Sequence, residues 1–80
     1  MVIQTQSPRA INASYHCRRS KISVGLILVF NVDEYVMAEY SERTGAMRYH
    51  RLVPAPQKDA IERWLSQHFP ATEKTVATHA

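Results

Sequence analysis

Pro54 and Pro56 stand two residues apart, and they divide the chain into two kinds of pattern. Proline has no amide hydrogen to give to a β-ladder, and its fixed φ suits the first turn of a helix, so a pair this close ends strand pairing and opens a helix. From Pro56 to Phe69, Ala60, Ile61, Trp64 and Leu65, then His68 or Phe69, share one side at three- and four-residue spacing. Asp59 and Arg63, four apart, support the exposed side by a few tenths of a kcal/mol. Pro70 stops the helix.

Upstream the period is two. Ile22 to Phe30 is uncharged and rich in branched residues, which favours a strand whose even set, Ile22, Val24, Leu26, Leu28 and Phe30, faces the core. Asn31 to Glu34 is a turn candidate, and Tyr35 to Ser41 alternates as a second strand. The next turn is Glu42-Arg43-Thr44-Gly45, with Gly45 free to take positive φ, and Ala46 to Val53 alternates as a third strand. The expectation is an α+β domain, a three-stranded antiparallel meander followed by one C-terminal helix (β-β-β-α). One helix covers one face only. The expected open face carries Ile27, Val29, Tyr35 and Met37, a patch that calls for a partner, either a second copy in a homodimer or the folded-back N-terminal arm. Reversing the register of the second strand exposes Val36, Ala38 and Tyr40 instead.

Eighty residues, 45% of them apolar, suffice for a single core. The division expected is a basic flexible arm over 1–21, the domain over 22–70 and a disordered tail over 71–80. Residues 1–21 hold Arg9, Arg18, Arg19 and Lys21 with no carboxylate, whereas the remainder holds six Lys or Arg against seven Asp or Glu. The positive surplus therefore sits in the first quarter, as a phosphate-seeking arm or a solvated tail. The acid-free start also matches a transit or secretory leader in part, but Pro8 and the charges of Asp33 and Glu34 break those patterns. Val24 to Phe30 is too short to span a bilayer, so the expectation is a cytoplasmic protein with no membrane partner.

No catalytic, cofactor or metal signature emerges. Cys17 beside His16 suggests a thiolate–imidazole pair, but neighbours in an extended segment point to opposite sides. Cys17, His16, His50, His68 and His79 lack ligand spacing, and a single Cys builds neither a disulfide framework nor a cysteine zinc cluster. Asp33, Glu34, Glu39 and Glu42 lie on or beside turns, where solvation keeps carboxylates ordinary, and Gly25 and Gly45 are too isolated to form a phosphate loop. The constellation that remains is Arg43, Arg48, His50 and Arg51 around Tyr49, with Arg48 and His50 expected on the face opposite the helix. A sheet surface of this kind offers guanidinium groups to phosphates and base edges. The plainer alternative is a solvated cross-strand pair of Arg48 with Glu39. Trp64 is expected to anchor the core.

The order of elements, with Val36-Met37-Ala38-Glu39-Tyr40, a Thr-Gly turn, Arg48 and Arg51, and a helix ending in Ile61-Glu62-Arg63-Trp64-Leu65, resembles the arm-type DNA-binding domains of phage and transposon integrases over residues 22 to 69. The resemblance implies a sheet laid in a major groove, although the body of this chain is slightly acidic where those domains are basic. Two functions stay open: a non-enzymatic nucleic-acid-binding module using Arg9, Arg18, Arg19, Lys21, Arg43, Arg48, His50 and Arg51, or a subunit, adaptor or inhibitor that docks on protein through the apolar sheet face.

Overall fold

In the computed structural model, which describes residues 8–72, five strands and one helix follow in chain order: β1 (Arg9–Ala10), β2 (Tyr15–Arg19), β3 (Leu26–Asn31), β4 (Val36–Ser41), β5 (Met47–Tyr49) and α1 (Ala55–His68). Residues 1–7 of the expected arm and 73–80 of the expected tail lie outside the described residues. The strands form one antiparallel sheet in the order β1-β2-β3-β4-β5, an uninterrupted meander. The α+β class and the C-terminal helix agree with the sequence; the strand number does not. Three strands become five because β1 and β2 come from residues read as a flexible arm.

That extra pair decides which face is covered. Tyr15 and Cys17 of β2 are buried, whereas His16 and Arg18, alternating with them, are only half-buried. Cys17 pairs with Val29, and Val29 pairs with Ala38; one register step along, Ile27 pairs with Tyr40. Partners across a ladder share a face, so Tyr15, Cys17, Ile27, Val29, Ala38 and Tyr40 form one apolar side. On the other side Arg18 meets Leu28, Leu28 meets Glu39, and Glu39 meets Arg48. A face bearing Arg18, Glu39 and Arg48 cannot be a dry core without burying charge. The helix therefore settles on the odd-numbered set of β3, the reverse of the sequence expectation.

Three of the four expected interface residues are thereby corrected. Ile27 and Val29 are wholly buried beneath α1 and Met37 is buried beside them; only Tyr35 remains exposed. Met37 joins the core because the β3–β4 register shifts between Val29 and Phe30, so Met37 and Ala38 are buried in succession. Ile22 and Val24, expected in the core, stand at the β2–β3 turn in full exposure.

The helix carries Ile61 and Leu65 into this face, each worth about 1.5–3 kcal/mol of apolar burial. Three tyrosine hydroxyls fix its position: Tyr15 donates to Gln57 Oε1, Tyr49 to Glu62 Oε2 at 2.7 Å, and Tyr40 to the carbonyl of Phe69. The Pro54 carbonyl receives the Gln57 and Lys58 amides, opening α1 as the proline pair implied, and the Phe69 amide closes it on Leu65. Both expected turns form: Asn31 Oδ1 accepts from the Asp33 and Tyr35 amides, with Glu34 at φ 68°, and Gly45 takes φ 80°.

Candidate nucleic-acid interface

The uncovered side of the sheet is built around Phe30. With β2 alongside, the His16 ring stacks on Phe30 at 5.4 Å between centroids and 11° between planes, and the Arg18 guanidinium lies 4.2 Å from the ring centroid. These two leave Phe30 only 5% exposed, so it is buried without help from the helix. The positive φ of Glu34 belongs to the turn that carries its carboxylate to the same place: its oxygens lie 3.4 Å from His16 Nε2 and 3.7 Å from Arg18 Nη1. One anionic group thus spans two cation-forming groups held on one aromatic ring. At 60% exposure this carboxylate is screened, and each pair is worth under about 1 kcal/mol.

Across the sheet, Glu39 and Arg48 are register partners, as the plainer reading expected, but the Glu39 carboxylate is engaged by His50 Nε2 at 2.7 Å. Arg48 has no ion-pair partner among the described residues. Between the two polar groups lie Leu26 and Leu28, half-buried.

The eight cation-bearing residues singled out in the sequence separate into three groups. Arg18 and Arg48 share the uncovered face, with His50 beside Glu39. Arg9 and Arg19 belong to the helix side: Arg9 lies 5.3 Å from the centroids of both Trp64 and Phe69, and Arg19 lies 5.2 Å from Phe69 and pairs with Glu42. Lys21 and Arg43 are exposed on the β2–β3 and β4–β5 turns, while Arg51, beyond β5, rests 4.6 Å over Tyr35. His16, Phe30 and Glu34 complete the face and were not named as site residues. The alternation of Tyr15-His16-Cys17-Arg18 was the signal that could have found His16.

Among the described residues, Glu34, Glu39, Glu42 and Asp59 engage basic side chains and Glu62 accepts from Tyr49. Arg9, Lys21, Arg48 and Arg51 have no such acidic partner there. Arg9 and Arg51 lie against aromatic rings.

Cys17 is 1% exposed and its thiol is pushed up to about 11 by burial, against the pull of Arg9 and Arg19. A thiol so placed is a core group and not a nucleophile. Tyr49 is also raised, by burial and its bond to Glu62, and Tyr40 by burial and Glu42. No group of three His, Cys, Asp or Glu side chains among the described residues is placed to hold a metal ion, and no helix there is long and apolar enough to cross a membrane. Comparison with protein-family models, curated proteins and solved structures gives no match.

Proposed function

We propose that the protein is a non-enzymatic module that binds nucleic acid on the uncovered face of its sheet. The observation that carries this reading is the pair of arginines, Arg18 and Arg48, on one face around half-buried Leu26 and Leu28, while Arg9, Lys21 and Arg51 also have no acidic partner among the described residues. A phosphate backbone supplies the missing anions and gains by releasing its counterions. Glu34 and Glu39 hold imidazole and guanidinium groups in place until a phosphate competes for them.

The test is an anisotropy titration of labelled duplex and single-stranded DNA and RNA at two salt concentrations. Binding that weakens steeply with salt is expected, and Arg18→Ala with Arg48→Ala is expected to lower affinity at least about tenfold and to reduce the salt slope by about 2. Absence of binding at low salt, or an unchanged slope in the double variant, overturns the proposal. A protein partner is the second reading, favoured by Tyr35, Val32 and Leu52, which are exposed at the far end of the sheet; it predicts docking that salt leaves unaltered.

A further inference from the structure

The β2–β3 turn is rigidly built yet apolar at its tip. Ser20 Oγ accepts from the amides of Ile22 and Ser23 at 3.1 and 3.0 Å, and the Ser20 amide donates to the Leu26 carbonyl at 2.8 Å. The Glu42 amide donates to the Gly25 carbonyl at 2.8 Å, tying the turn to the end of β4. Gly25 completes it at φ 80°. This framework holds Ile22 at 93% and Val24 at 102% exposure, with Lys21 preceding them in the same turn. Two branched aliphatic side chains thus stand in water on one tightly hydrogen-bonded turn.

Charge differs between the two ends of the sheet. Arg19, Lys21 and Arg43 outnumber Glu42 at this end, whereas at the other Asp33 and Glu34 of the β3–β4 turn are set against Arg51, which rests over Tyr35, and Arg18, which reaches Glu34. The tip thus joins apolar side chains to a positive surround, and it is continuous with the strands that carry Arg18 and Leu28 on the uncovered face. Cations spread along the strands as well as beside the tip suit an elongated polyanion running from face to tip better than a lipid plane touching the tip alone.

Resting on the nucleic-acid reading, we infer that Ile22 and Val24 form an apolar wedge that enters a base step of a duplex and bends it, while the uncovered face holds the adjoining phosphates. Aliphatic wedges flanked by cations open base steps in this way, and a step already weakened by a mismatch opens more readily.

The experiment uses full-length protein and a duplex labelled at both ends for energy transfer, with or without a central mismatch. The expected result is a shortened end-to-end distance and tighter binding to the mismatched duplex. Ile22→Ser with Val24→Ser is expected to abolish the shortening and the mismatch preference and to weaken binding about fivefold or more, with an unchanged melting temperature because both side chains are exposed. Wild-type binding without shortening, or a double variant that bends duplex as the wild type does, overturns the wedge and leaves the face proposal standing. No binding by either protein overturns both. Sedimentation with anionic phosphatidylglycerol vesicles that depends on Ile22 and Val24, without duplex bending, assigns the tip to a lipid surface and also overturns the wedge.

Discussion

The two faces of the sheet come from the same strands and bury apolar groups by different means. Beneath α1, Ile27, Val29, Cys17 and Tyr40 are closed in by other apolar side chains, including Ile61 and Leu65. On the other side Phe30 is nearly as well buried, but its cover is His16 and Arg18. The first cover is permanent, since removing it exposes the core. The second is made of an imidazole and a guanidinium that hold the Glu34 carboxylate, so on the proposed reading it can take up another anion without unfolding the domain. A small domain with one helix has cover for one face only, and long amphipathic side chains supply the other.

The sharpest way to break this contrast is to truncate each cover in turn. Leu65→Ala is expected to destabilise by about 3 kcal/mol through transfer and cavity terms, whereas Arg18→Ala is expected to remain under about 1 kcal/mol; urea unfolding measures both. Comparable losses would mean that the uncovered face is a second structural core.

A smaller effect separates the faces by pH. The Cys17 thiol titrates near 9.0 when free of burial and is pushed up to about 11 in the fold. Between those values the unfolded chain loses the proton first, so stability is complete below about pH 9 and falls as pH rises toward 11. Tyr40 and Tyr49, also raised, add to the decline at alkaline pH. Cys17→Ala is expected to flatten the slope over this window in pH-dependent unfolding, and the native thiol is expected to react with a disulfide reagent only at the rate of opening. Fast labelling of native protein would contradict the packing of β2 against the helix side.

The smallest effect lies in the exchangeable cover. Glu34→Gln removes the anion beside His16 and Arg18 and is expected to leave the melting temperature within a degree or two while strengthening low-salt duplex binding about twofold to fivefold, as read by anisotropy. Weaker binding would show that Glu34 positions the arginine for its ligand and does not compete with it.

The helix, the two turns and the antiparallel meander were legible because each rests on local chemistry: paired prolines, an Asx-type turn at Asn31, positive φ at Gly45. The face assignment was not. Both sets of β3 are apolar, so β3 alone is ambiguous, and the choice is made by its neighbours, with Arg18 opposite one set and Cys17 opposite the other. That information sat in Tyr15–Arg19, where a high density of basic residues suggested a tail and obscured the period-two pattern. Arg48 was legible as opposite the helix from the alternation of Met47, Arg48, Tyr49 and His50, and its register partner Glu39 lies on the same side. Phe30 was missed as a site residue because its cover is charged, and a charged cover leaves no apolar pattern in the sequence.

The meander pairs only chain neighbours, and the side chains that close its apolar side come last. During synthesis the whole sheet leaves the ribosome before Ile61 and Leu65 do, and at about 5–20 residues per second the interval from Tyr49 to Leu65 lasts roughly one to three seconds. Through that interval Ile27, Val29 and Tyr40 face solvent or whatever binds nascent chains, and the adhesive side of the sheet stays bare until α1 arrives.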